Sequence, residues 1–238
     1  MQANHDMNVT SLKRVMAGLA TVALVTGMNT SAVSIYDNSV NDLGSRLDPG
    51  LNEVGDEIVL AGTERYLTDF AFGYWGLSNG GIGTPFAGTP EARVRFYLND
   101  GPAFNGYATP GTSFYVSDWF SIGAPTERAS VEFSIGAGDF PAGGLLMPLV
   151  SNFTWTVQFR GLGANDTAGL DVFGPPVTGI SYPDYWENAG GSWMLKTNVI
   201  AMNFAARFDA VVPEPSGVVL AIVGGLGMVM MVRRFQRA

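Results

Sequence analysis

Two acidic side chains three residues apart in an aromatic stretch are the one arrangement in this 238-residue chain whose types suit acid–base catalysis. Asp184 and Glu187 stand in Ser181-Tyr182-Pro183-Asp184-Tyr185-Trp186-Glu187-Asn188. A glycosidase needs two carboxyl groups about 5–9.5 Å apart, one to protonate the leaving oxygen and one to attack or to activate water. The same stretch supports a milder chemistry. Tyr182, Tyr185 and Trp186, with Trp193 beyond, offer flat apolar faces for stacking on pyranose rings, while Asp184, Glu187 and Asn188 supply groups that hydrogen-bond hydroxyls. The plainer reading is a surface loop whose rings pack over the edge of the fold, with Trp193 on a strand and in the core.

Other chemistries are closed by composition. Cysteine is absent and the single histidine is His5. Past the first 32 residues, Ser-His-Asp and Cys-His catalysis and the usual zinc sites therefore have no ligands or bases to draw on. No Gly-x-Ser-x-Gly elbow occurs, nor a phosphate-binding glycine loop leading into a helix. Oxygen ligands for Ca²⁺ cluster between Asn38 and Asp48 and at Asn99-Asp100, but neither run matches a defined calcium loop, and turn chemistry explains both. Asn152-Phe153-Thr154 and Asn165-Asp166-Thr167 match the glycosylation triplet, which is common by chance. No catalytic residue, cofactor or metal is assigned.

The elements that must carry any such site read as strands. Apolar and polar residues alternate in 67–75, 92–98, 129–135 and 153–159, so each strand has one dry and one wet face. Shorter strands are expected at 57–61, 114–116, 119–122, 170–173, 193–196 and 203–209, with 33–55 a polar lead-in holding at most one. Asp48-Pro49-Gly50, Asn79-Gly80-Gly81 and Asn99-Asp100-Gly101-Pro102 mark turns, and many of the 31 glycines fall in such clusters. No helical period of useful length appears between Val33 and Val212. The expected fold is all-β: an antiparallel β-sandwich of jelly-roll type over residues 33–211.

Both ends read as targeting signals. Lys13 and Arg14 precede an apolar run, Val15 to Val25, and Thr30-Ser31-Ala32 offers small residues for signal peptidase, so residues 1–32 are expected to be a signal peptide read by the Sec translocon. Residues 212–238 fall into three blocks. Pro213-Glu214-Pro215 comes first, then the uncharged run Ser216 to Val232, then Arg233, Arg234 and Arg237. The run is 17 residues, about 26 Å as a helix at ~1.5 Å per residue, a short transmembrane span. The arginines hold its end on the cytoplasmic side.

That order of parts closely resembles the PEP-CTERM sorting signal. The resemblance implies recognition by an exosortase, a membrane-embedded processing enzyme of Gram-negative bacteria that make extracellular polysaccharide. It covers about a tenth of the chain. Within the sandwich, A-G-T-E-R-Y-L-T-D-F-A-F-G-Y-W-G, A-R-V-R-F-Y-L-N-D-G, N-F-T-W-T-V-Q-F-R-G-L and P-D-Y-W-E-N-A-G-G-S-W-M-L-K are similar to an all-β module found in exosortase substrates, a module of no established activity.

Between the two signals the chain keeps eight cationic and nineteen acidic side chains, a net of −11, which argues against nucleic acid as a partner. The expected protein is an exported, non-enzymatic component of the cell surface or biofilm matrix, held briefly in the inner membrane and then processed by exosortase. The alternatives are a module that binds extracellular polysaccharide through Tyr182, Asp184, Tyr185, Trp186 and Glu187, or a glycosidase using the two carboxylates.

Overall fold

Phe153, Trp155, Val157 and Phe159 share one side of a strand, and Thr154, Thr156 and Gln158 the other. In the computed structural model, which describes residues 31–149, 152–197 and 201–212, this strand lies inside a sheet and buries the first set completely against a second sheet. Pro213, Glu214, Pro215, the span Ser216 to Val232, Arg233, Arg234, Arg237 and the signal segment ahead of Ser31 lie outside the described residues.

In chain order the strands are β1 (Val33–Asp37), β2 (Asp42–Leu47), β3 (Glu53–Val59), β4 (Tyr66–Leu77), β5 (Glu91–Leu98), β6 (Ala103–Phe104), β7 (Tyr107–Ala108), β8 (Ser113–Val116) and β9 (Phe120–Ser121). They continue as β10 (Thr126–Ser134), β11 (Leu145–Leu146), β12 (Phe153–Arg160), β13 (Thr167–Phe173), β14 (Ile180–Ser181), β15 (Asp184–Ala189), β16 (Ser192–Thr197), β17 (Asn203–Phe204) and β18 (Ala206–Val211). Among the described residues no helix occurs. The lead-in expected to hold one strand at most holds β1, β2 and the start of β3. Its polar residues are turn and pairing groups: Asp42 and Asp48 each accept the N–H of the glycine two residues on, at 2.9 Å.

Two antiparallel sheets of eight strands form a sandwich-like core. The first runs β1-β18-β4-β13-β17, with β10 and β11 on the far edge of β4 and β2 on the far edge of β13. The second runs β16-β15-β3-β12-β5-β8, with β14 beside β3 and β9 beside β5. The β6–β7 ribbon stands apart. Phe70 of β4 is the hub between the layers. Its ring lies 4.6 Å from Phe208, 5.1 Å from Phe96, 5.6 Å from Trp155 and 5.8 Å from Phe133. Edge and tilted contacts of this kind stabilise beyond what the buried area of each ring provides.

The first sheet contains a fork. β4 and β13 pair from Leu77↔Thr167 to Tyr74↔Leu170 and then separate. Ala205 enters the wedge: its carbonyl accepts the Gly73 N–H at 2.9 Å, and its own N–H reaches the Asp171 carbonyl at 3.0 Å. From there β17 follows β13 and β18 follows β4. Residue 73 has to be glycine here, because a Cβ would sit 2.8 Å from the Ala205 Cβ.

Candidate functional site

The stretch expected to be an aromatic surface loop is a strand. β15 pairs with β16 from Asp184↔Thr197 to Ala189↔Ser192 through a turn at Gly190-Gly191, and its other edge pairs with β3, where Trp186 meets Gly55. Trp186 is 0% exposed and Tyr185 7%. The Tyr185 ring packs on Phe204 at 5.7 Å from the inner side. Trp186 lies on the outer side under Phe104 of the β6–β7 ribbon, 6.5 Å away, with its indole N–H 3.4 Å from Glu57. Neither ring has a face open to a sugar. The expected stacking platform is thus corrected: of its rings only Tyr182, at 41%, is exposed. Trp193, expected in the core, is half-buried with its edge against Tyr97 at 5.6 Å.

Asp184 and Glu187 are an odd number of residues apart on this strand, so they project to opposite faces. Glu187 is held by Asn52 at 3.1 Å and lies 3.9 Å from the Lys196 ammonium. The residues read as oxygen clusters are occupied by turns and strand pairing. Asn38 is buried and donates to the carbonyls of Phe173 and Phe204, and Asp100 accepts the Thr112 N–H at 2.7 Å. Among the described residues no three acidic or histidine side chains gather as a metal-binding group. Asn152 of the first glycosylation triplet donates to Glu57, and Thr154 is buried.

The ionisable groups that the fold does bury were not singled out by pattern. On the outer face of the second sheet, Glu53 accepts hydrogen bonds from Thr156 at 2.6 Å and Tyr97 at 3.1 Å, and pairs with Arg95 at 2.6 Å. On the inner face Asp56 sits in the core beside Trp155. One carboxyl oxygen accepts the Phe204 N–H at 2.7 Å and the other has no hydrogen-bond partner. Burial pushes this carboxyl well above the usual carboxylate range, against the pull of the Phe204 N–H.

A carboxyl that keeps its proton in the fold and loses it in the unfolded chain makes the folded state the better proton binder. Its contribution is present below the unfolded pKa and is lost as pH rises toward the folded value. Asp56→Asn keeps the shape and an oxygen for Phe204 but cannot ionise. The variant should melt at a higher temperature than the parent at pH 8 and show a shallower loss of stability between pH 5 and 8. Parallel melting curves across that range would contradict the assignment.

A further buried carboxylate marks the fork. Asp171 of β13 is 1% exposed, and neither oxygen has a hydrogen-bond partner. Arg46 of β2 approaches one oxygen at 3.6 Å, and Arg128 of β10 approaches the other at 3.8 Å. Arg128 also lies 5.0 Å over the Phe173 ring and is paired with Asp42. Burial pushes Asp171 up to about 6, with Arg128 and Arg46 pulling it back. Around it a cavity of about 210 Å³ opens on the outer face of the first sheet, with Ala71, Gly73 and Ala205 at its base and Ser130, Glu132 and Arg207 at its sides. No single segment announces this site, because its parts come from β2, β4, β10, β13 and the β17–β18 step.

No family model, no curated protein sequence and no solved structure matches this chain.

Proposed function

We propose that the protein is an exported, non-enzymatic component of the cell surface or extracellular matrix, with a jelly-roll-type ectodomain sorted and processed by an exosortase through its C-terminal segment. The observation that carries this reading is the order of parts in residues 212–238: Pro213-Glu214-Pro215, an uncharged apolar run, then Arg233, Arg234 and Arg237. Successive strands cross between the two sheets, β3 to β4 to β5 and β12 to β13 to β14, which supports the jelly-roll type. The strand limits support the processing scheme. β1 starts at Val33 and β18 ends at Val211, so a cut after Ala32 and another beside the Pro-Glu-Pro triplet both leave every strand intact. Prolines at 213 and 215 keep Glu214 out of the helical region, and an extended backbone is what a protease-like cleft accepts.

Mass spectrometry of surface-released protein should find a C-terminus between Val212 and Ser216. Replacing Pro213-Glu214-Pro215 with alanines should leave the full-length chain in the inner-membrane fraction. Released protein that still ends at Ala238 would overturn the reading.

A further inference from the structure

We propose that the cavity at the β4–β13 fork binds a small uncharged polyhydroxylated molecule, the size of one sugar ring, with its hydroxyls between the Asp171 carboxylate and the guanidinium groups of Arg128 and Arg207. This inference is independent of the sorting reading and goes beyond it.

Asp171 is the unsatisfied group in this cavity. A buried carboxylate whose oxygens accept no hydrogen bond is costly to keep, and the two guanidinium groups near it stand beyond hydrogen-bond distance. What the site lacks is a donor. An apolar ligand would supply none. A cation would meet Arg46, Arg128 and Arg207, and an anion would meet Asp42, Glu132 and Asp171. Hydroxyl groups donate and accept at once, so an uncharged polyol satisfies Asp171 and Glu132 while accepting from Arg128, Arg207 and Ser130.

The arginines are already fixed. Arg46 donates to the Glu127 carbonyl, Arg128 to Asp42, and Arg207 pairs with Asp209 at 3.0 Å. Their remaining N–H groups are therefore oriented before a ligand arrives, which lowers the entropy lost on binding. The base of the cavity is Ala71, Gly73 and Ala205, small residues that leave room for the C–H face of a ring. At about 210 Å³ the cavity is below the ~300–1,000 Å³ of drug-sized sites, which fits one ring rather than a chain of them.

The test uses the full-length chain in detergent micelles, followed by amide NMR during titration with methyl α-glucoside, methyl α-galactoside, methyl α-mannoside and myo-inositol. Glucuronate and methylammonium serve as charged controls. At least one neutral probe should shift the amides of Ala71, Gly73, Asp171 and Ala205 with a Kd in the millimolar range, as expected of ~4 kcal/mol from one ring. Asp171→Asn should weaken that binding at least tenfold. Ala71→Phe, which enters the cavity from the outer face of β4, should abolish it, and this variant decides the matter should Asp171→Asn fail to fold. Three results would overturn the proposal: no shift with any neutral probe at about 100 mM, a response to the charged controls alone, or shifts that map elsewhere and survive both substitutions.

Discussion

Phe70→Ala is expected to cost the fold about 3–5 kcal/mol, the range for aromatic truncation in a core. Phe70 is 1% exposed and touches rings from both layers: Phe72, Phe133 and Phe208 in its own sheet, Phe96 and Trp155 in the other. Removing the ring deletes its own burial and leaves five aromatic neighbours facing a void. Four of those neighbours sit on strands paired on both sides, so most of the walls cannot close inward, and the cavity contribution remains large. Urea unfolding followed by tryptophan fluorescence measures the loss. Phe114→Ala is the control, since this ring is half-buried and, among the described residues, meets two other rings, Phe96 and Phe153. Equal losses for the two variants would show that Phe70 is not the hub described.

The second large effect is expected from Arg95→Met, again about 3–5 kcal/mol, because it strands a buried carboxylate. Glu53 keeps the hydroxyls of Thr156 and Tyr97 but loses the cation it pairs with, and Gln158 loses a guanidinium donor while keeping Arg93. The pair itself is a different quantity from this penalty. Desolvating two charges offsets much of their attraction, so Glu53→Gln combined with Arg95→Met should recover most of the loss. A double-mutant cycle separates the two. If the double variant is as unstable as Arg95→Met alone, the cost lies in packing of the arginine stem and not in the stranded charge.

How far the sequence reveals this molecule depends on whether one face of a strand is wet. In β5 the alternation reads directly onto the sheet: Val94 and Phe96 point inward and are buried, while Arg93, Arg95 and Tyr97 point outward and stay partly exposed. β15 defeats the same reading because both of its faces are dry. Tyr185 packs inward and Trp186 lies beneath the β6–β7 ribbon, so two large rings stand side by side without a period of two. A nearby proline and a glycine pair completed the look of a loop. The polar lead-in misled for the opposite reason. Asn38 is buried by giving its amide to two carbonyls, a role that composition cannot distinguish from exposure.

The fork and its carboxylate were illegible for a geometric reason. Asp171 stands in an apolar strand, Leu170-Asp171-Val172-Phe173, where it breaks no pattern. Its meaning comes from Gly73 and Ala205, which are distant in sequence and meet it only because a third strand enters the wedge. Asp56 is hidden in the same way by Gly55 and Glu57 on either side.

The pairing of the first and last strands has a mechanical consequence. β18 lies between β1 and β4, with four registered pairs to one and six to the other, and Val33 stands opposite Ala210. A load drawn through the chain beyond Val211 enters the sheet on an interior strand, not an edge. To pull β18 along its own axis, both ladders must shear together, whereas an edge strand would peel open one pair at a time. Trimming β1 removes one of those ladders and bares the other side of β18 as a new edge. A tether through this end is therefore as strong as the chain's first five strand residues are intact, and single-molecule pulling before and after deletion of residues 33–37 would show the unfolding force fall.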